Sequence, residues 1–414
     1  MATVTADADT RPIAPVDVSD AALYTEDRWQ EPFAQLRAEM PLAWHPESPY
    51  GPYWSVSSHG LIQQVEALPD IYSSDTANGG ITIIDPMDEI AQKFENFIAM
   101  DRPRHTEQRR VVQPSFNPSE MARREVEIRQ RVGELFDVLP VGETFNWVER
   151  VSIPITIGMI CALFDFPWEE RHDLKRWSDW ASEVTPDQSE ERRMLWLEQM
   201  MQMLTRFDRL FEEKRAAPPA DDLMSRIIHS EAMGQMPPAE RMGNVALLIV
   251  GGNDTTRNSM SGFIDAINRY PDQLDKLRAD PSLIPNAASE IIRWQSPVTH
   301  MRRTALEDTE LDGHAIKAGE KLILWYISGN RDEALFADAD RFDVTRENAR
   351  RHIGFGFGIH RCVGARLAEL QLQIYIEQIV KRGWRVEPRG DWTRLESCFL
   401  HGFTDMPVEI VAEG

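Results

Sequence analysis

Three things are scarce in this chain of 414 residues: cysteine, positive charge and long apolar runs. The cysteines Cys161, Cys362 and Cys398 are too few and too scattered for a disulfide framework, which leaves reduced thiols or a metal ligand. Lys and Arg number 45 against 67 Asp and Glu, for a formal net charge of −22. That deficit excludes a general nucleic-acid binder, whose affinity comes from clustered cations releasing counterions. No stretch reads as a membrane span, and the opening MATVTADADTRPIAPVDVSD has neither the basic start nor the apolar run of a secretion signal. The expected location is therefore the cytoplasm. Internal repeats and low-complexity tracts are missing as well, so solenoid and fibrous architectures fall away.

What is present is an ordinary globular composition, in which 42% of residues are hydrophobic and 27% charged. Apolar residues recur at spacings of three and four in PAERMGNVALLIV, SEIIRWQ and ARLAELQLQIYIEQIVKRG, so the predicted fold is mainly α. Strand-like runs are few: GPYWSVSSH, AIKAGEKLILWYIS and MPVEIVA predict one small β-rich region beside the helices. The proline clusters AAPPADD and GQMPPAE mark short loops rather than linkers. A single domain over residues 21–414 is expected, after a loosely ordered segment 1–20. Against the acidic background two arginine-rich segments stand out: Arg102, Arg104, Arg109 and Arg110, then Arg346, Arg350, Arg351, Arg361 and Arg366.

The segment Phe355-Gly-Phe-Gly-Ile-His-Arg-Cys362-Val-Gly364 sets a cysteine after a glycine-rich turn and directly before a helical stretch. A helix N-terminus offers unpaired N–H groups and the positive end of the dipole, both of which favour thiolate, the form that binds iron. Gly356, Gly358 and Gly364 allow tight bends and close approach to a flat ligand, Phe355 offers an aromatic face, and His360 a polar or cationic tip. A lone cysteine in such a turn is more often a buried structural thiol; the surrounding residues favour a planar, anionic cofactor instead. A dinucleotide loop would need glycine where Arg361 stands, and zinc would need further Cys or His at ligand spacing.

Residues from about Pro238 to Tyr270 read as one long helix whose middle, Gly251-Gly-Asn-Asp254-Thr255-Thr, is made of poor helix formers. Such a turn can widen so that a hydroxyl or water replaces a backbone hydrogen bond. It places an acid, Asp254, next to an alcohol, Thr255; close packing through the glycines accounts for the same residues equally well. Glu290 and Arg293 share a helix face, and Arg346 is available to complete a charged triad.

At its defining positions the cysteine segment resembles the haem-binding signature of the cytochrome P-450 superfamily, and the helix centre resembles that family's acid-threonine motif. The resemblance implies a mainly α, single-domain P-450 fold, a triangular helical prism with a small β-rich region. It implies haem b (iron protoporphyrin IX), with Cys362 as the axial thiolate that favours O–O cleavage. It further implies that Thr255 stabilises reduced oxygen at the iron through hydrogen bonds and that Asp254 delivers protons through water. His105, Arg109, Arg303 and His360 are then the propionate donors, with Phe355, Gly356 and Gly364 part of the cofactor site. Glu290, Arg293 and Arg346 form the family's structural triad.

Finer matches, VGGNDTTRNSMSG, EIIRWQSP, HMRRTALED and WYISGNRDE, resemble the bacterial alkane and fatty-acid terminal hydroxylases within that superfamily, from about Trp29 onward. The likeness is weakest at the N-terminus and around residues 75 to 95. The implied reaction is hydroxylation of a medium-chain alkane or fatty acid at or near its terminal methyl, using O2. Electrons would come from NAD(P)H through a ferredoxin reductase and a ferredoxin, steered to a basic dock made by the arginine segments. Val250, Gly251, Val298, Met301 and Phe399 are expected in the substrate wall, together with an apolar channel side from GGITIIDPMDEIAQKFENFIAM. A sterol or terpenoid hydroxylase of the same superfamily is the competing enzyme, and a non-catalytic haem carrier or sensor the competing class.

Overall fold

The structure is a computed structural model that describes residues 11–85, 94–187 and 189–412. Of the first twenty residues, residues 1–10 lie outside the described ones. The next ten are held rather than loose: Ile13 pairs with Trp44, Val18 is fully buried, and Tyr53 donates to Asp17.

Eight helices position the site: α1 (Arg104–Val112), α2 (Pro118–Asp137), α3 (Ile153–Phe164), α4 (Arg171–Ala181), α5 (Glu190–Ala216), α6 (Pro238–Arg269), α7 (Ile284–Gln295) and α8 (Ala365–Lys381). Local chemistry sets their ends. Pro118 starts α2 behind Asn117, whose side chain accepts from Glu120 N–H, and Pro271 stops α6 after Tyr270. Helix α6 runs unbroken through its glycines and packs against α3, α4, α5, α7 and α8. The rest of the α6 surface is almost wholly buried over its last half, from Thr256 to Ile267. At about 48 Å, from 1.5 Å per residue, it crosses the molecule.

The three strand-like runs do form strands, but not one sheet. Leu42–His45 (β1), Tyr53–Val56 (β2), Tyr72–Ser73 (β3), Met301–Ala305 (β4) and Lys321–Leu324 (β5) make a five-stranded sheet in the order β1-β2-β5-β4-β3, with β2 and β5 parallel. The C-terminal run Pro407–Ala412 instead lies between Thr144–Asn146 and Trp384–Pro388 in a separate three-stranded sheet. Strand β4 was hidden in the sequence because its paired arginines break the apolar pattern; both are nonetheless buried.

The charged triad is assembled. Arg293 holds both oxygens of Glu290 at 2.7 and 2.8 Å, and Arg346 Nε reaches Glu290 at 3.0 Å. Their remaining N–H groups bind carbonyls of Asn330, Asp338, Ala339 and Arg341, which pins the loop leading to the cysteine segment. Buried charges tolerate such a place only when every donor is satisfied.

Candidate active site

One cavity of about 430 Å³ lies between α6 and the cysteine segment. Cys362, Val363 and Gly364 border it below, and Gly251, Gly252, Thr255 and Thr256 border it from α6. The loop that presents the thiol is fixed by backbone geometry. Cys362 N–H donates to Phe355 O at 2.8 Å, and Gly356 and Gly358 take φ of +66° and +67°. A Cβ on Gly358 would meet Glu66 O at 2.4 Å, so glycine is required there. Gly364 differs: its φ is −87°, an ordinary value, and it caps the start of α8.

Glu66 was not singled out in the sequence, yet it organises one side of the site. Its buried carboxylate accepts from Arg303 Nη2 at 3.0 Å, Tyr326 Oη at 2.6 Å and Phe357 N at 2.8 Å. Arg109, Arg303, Phe355, Gly356 and His360 all border the cavity. His105 lies behind, its ring 4.3 Å from that of His360. Both histidines are buried, and none of their four ring nitrogens has a hydrogen-bond partner. Burial, then neighbouring arginines, push His105 down to about 4 and His360 to about 2.

Burial also pushes the Cys362 thiol up, against Gly364 N–H, Arg109 and Arg361, which pull it down. The helix N-terminus therefore does not by itself make a thiolate here; a bound cation would. Cys161 and Cys398 are buried away from the cavity and raised by burial to about 11 and about 12. Both remain thiols.

The acid and the alcohol on α6 face different ways. Thr255 Oγ1 sits at the cavity and donates to Gly251 O at 2.9 Å. Asp254 is turned to the opposite, fully buried side, where it meets Ser178 Oγ at 3.1 Å, Asn253 Nδ2 at 2.8 Å and Arg257 at 3.0 Å. Burial raises its carboxyl, with Arg257 opposing.

All five residues expected in the substrate wall, Val250, Gly251, Val298, Met301 and Phe399, border the cavity. Of the weakly matching segment, Ile81, Thr82, Phe94, Phe97 and Ile98 do so as well, while residues 86–93 lie outside the described ones. Sequence reading missed Met159, Ile160, Leu163, Trp196 and Met200, which close the cavity from α3 and α5. Their helical spacing is that of any core face, so no separate signal marked them.

Two buried imidazoles, each with an unpartnered N–H, beside two arginines call for an acidic group to accept from them, because buried polar atoms left unpaired are costly. A single thiol beneath a broad cavity, with no cluster of three metal-binding side chains among the described residues, calls for a metal already held by a planar ligand. These needs are met together by haem with its two propionates, so the residues fit a haem-thiolate protein. The chain belongs to the cytochrome P450 family, whose profile matches residues 150–396.

Relatives extend the match over nearly the whole chain. It is 40% identical over 408 residues to linalool 8-monooxygenase of Pseudomonas putida, covering 95% of this chain and 98% of that protein. It is 32% identical over a 419-residue alignment to a methyl-branched lipid omega-hydroxylase of Mycobacterium tuberculosis, covering 95% of each. The solved structure of cytochrome P450-153 from Novosphingobium aromaticivorans is similar at a TM-score of 0.91 and 51% identity, over 95% of this chain and 99% of that one. The protein is thus a haem-dependent monooxygenase, an oxidoreductase with the P450 fold, and the likeness to omega-hydroxylases agrees with these neighbours. No described helix is long and apolar enough to cross a membrane.

Proposed function

We propose that this monooxygenase hydroxylates linear aliphatic substrates, a medium-chain alkane or fatty acid, at or near the terminal methyl, using O2 and two electrons. The observation that carries this reading is the cavity wall away from the cysteine loop. Ile81, Phe97, Leu163, Trp196, Met200 and Leu247 offer apolar contact, and the only arginines or lysines bordering the cavity among the described residues are Arg109 and Arg303. A wall of that kind recognises a chain by shape and burial rather than by charge.

Haem, when bound, supplies the oxygen-activating iron chemistry. The protein's own part is binding, positioning and proton supply. Cys362 is the ligand; His105, Arg109, Arg303 and His360 hold the propionates. Thr255 presents a hydroxyl to the reacting side of the cavity. Asp254, whose carboxyl burial raises, supplies protons toward Thr255 through water by turning away from Ser178, Asn253 and Arg257, which hold it on the far side of the helix at rest. The apolar wall excludes bulk water and holds the chain end-on, since attack on the stronger terminal C–H bond requires that internal carbons be kept away.

The electron donor is an acidic ferredoxin, itself reduced through a ferredoxin reductase by NAD(P)H. Arg102, Arg110, Arg350, Arg351, Arg361 and Arg366 are exposed and have no carboxylate within ion-pair distance among the described residues. The other three arginines expected in the dock are otherwise engaged: Arg104 pairs with Glu95 and Glu240, Arg346 with Glu290, and Arg109 with Arg361 O. The relative named for linalool supports a second reading, hydroxylation of an acyclic terpenoid.

Product analysis on n-alkanes, fatty acids and linalool of comparable length separates the two. Terminal alcohols from the straight chains are expected as main products. Absence of terminal product from every straight chain, with turnover of the terpenoid, would overturn the first reading in favour of the second.

A further inference from the structure

The cavity side made by residues 81–85 and 94–98 contains almost no regular structure, yet it carries Ile81, Thr82, Phe94, Phe97 and Ile98 into the wall. Segments of this kind keep a fixed position only if contacts to their own backbone and polar side chains hold them. Two separate sets of contacts do so.

The first is on β4. Met301 and Arg303 face the cavity, and Arg302 between them faces away and is buried. Arg302 N–H donates to Ile81 O at 2.8 Å, and its guanidinium pairs with Asp85 at 2.5 Å. Lys321 on β5, also buried, reaches the other oxygen of Asp85 at 3.0 Å as well as Ile83 O at 3.0 Å and Tyr50 O at 2.8 Å. Asp85 is therefore the one carboxylate paired with either cation among the described residues, and one oxygen serves each of them. A Cβ on Gly79 would lie 1.9 Å from Arg302 Nη2, so the chain beneath the guanidinium is glycine.

The second is on α6. A Cβ on Gly243 would meet Glu95 O at 2.1 Å and Phe94 O at 2.4 Å, so the loop backbone rests directly on the helix. Next to it Asn244 Oδ1 accepts from Phe97 N–H at 3.1 Å, and its Nδ2 donates to Gln108 at 3.2 Å and Glu240 O at 3.1 Å. Arg104 closes the group by pairing with Glu95 at 2.7 Å.

We infer that Asp85, clasped between Arg302 and Lys321, and Gly243, beneath the carbonyls of Phe94 and Glu95, are positioning residues that fix the cavity wall and thereby select the carbon that is hydroxylated. Neither touches the reacting atoms. Both act by setting how closely Ile81, Phe94 and Phe97 confine a chain opposite Thr255. The inference rests on the linear-substrate reading for its choice of reaction, and on the contacts alone for its statement about the wall.

The test compares holoenzyme Asp85→Asn, Asp85→Glu and Gly243→Ala with the parent on n-octane, alongside amide hydrogen exchange at residues 81–85 and 94–98 and binding of n-alkyl imidazoles of graded length. Carbon monoxide spectra of the reduced variants confirm an intact thiolate site. The expected result is a terminal-to-subterminal product ratio lowered by about tenfold in Asp85→Asn and Gly243→Ala. Asp85→Glu restores the ratio, and exchange is faster only in the segment whose anchor is lost. Parental product ratios and exchange rates in both Asp85→Asn and Gly243→Ala would overturn the inference. If the parent itself makes no terminal product, the functional reading fails. The inference is then decided by exchange and by imidazole chain-length preference: altered values in the variants uphold it, and unchanged ones overturn it.

Discussion

Thr255 gives its hydroxyl proton to Gly251 O, 2.9 Å away and one turn earlier in the same helix, while its side chain borders the cavity. The helix is unbroken at this point, so the hydroxyl adds to the backbone ladder instead of replacing it. A donor held this way can turn to a ligand at modest cost, because the carbonyl it leaves keeps its place in the helix. Thr255→Ala should therefore leave substrate binding intact and lower the product formed per O2 consumed by at least about tenfold, since positioned proton transfer typically contributes about 10²- to 10⁴-fold. Stoichiometry of NAD(P)H, O2, peroxide and product decides it, and unchanged coupling would remove Thr255 from the proton route.

Cofactor retention is predicted to separate the two arginines. Arg109→Ala removes one donor and exposes a carbonyl, that of Arg361, at the surface side of the cavity. Arg303→Ala does more, since it leaves Glu66 buried without its cation, a loss on the order of 3–5 kcal/mol for a broken buried pair. Both variants should bind haem more weakly, read as haem per polypeptide after gel filtration, but only Arg303→Ala should also lower the thermal midpoint of the haem-free chain. Full haem content in both would count against their assignment to the propionates.

Two buried histidines away from the cofactor residues give the fold an acid limit. His401 donates Nδ1–H to Gln295 O at 2.6 Å and is held down to about 4 by burial, with Arg394 adding to it; His300 is held at about 3, also by burial. Free imidazole titrates near 6.5. Each folded value lies below the unfolded one, so their contribution is fully present above about pH 6.5 and is lost as pH falls toward 4. For His401 the loss amounts to roughly 3 kcal/mol. Denaturant titrations between pH 7 and pH 4.5 should show falling stability, and His401→Asn should flatten that slope. An equal slope in the variant would show that other groups set the acid limit.

How much of this was legible before the structure depends on whether a residue's role is local. The cysteine segment could be read because its glycines and capping position act on neighbouring residues; at the centre of α6 the widened turn expected from the glycines is absent, and Thr255 was placed by the family resemblance. The triad was legible by two routes: Glu290 and Arg293 are three apart on one helix, whereas Arg346, which arrives from a loop, was placed by the family resemblance. Glu66 was invisible, since Arg303 lies 237 residues further on and nothing near Glu66 foretells a buried carboxylate. Trp196 and Met200 share the periodicity of core residues, and whether such a face meets core or cavity is settled only by packing. The sheets were misjudged for a related reason, as strand order depends on partners brought together from both ends of the chain.

Electron delivery offers the last prediction. Six exposed arginines without carboxylate partners among the described residues are conspicuous in a chain of net charge −22, where cations elsewhere are mostly paired. Arg109, which borders the cavity, binds the carbonyl of Arg361, so the cluster adjoins the cysteine loop rather than the substrate side. Attraction between such a patch and an acidic ferredoxin acts over about 8 to 10 Å at physiological salt and weakens as ionic strength rises. The second-order rate of reduction by ferredoxin should therefore fall steeply with added salt, while substrate affinity stays level. Arg350→Glu combined with Arg366→Glu, on residues outside the cavity lining, should lower that rate by at least about tenfold at low salt and flatten its salt dependence. A reduction rate indifferent to both salt and the double substitution would place the electron donor on another face.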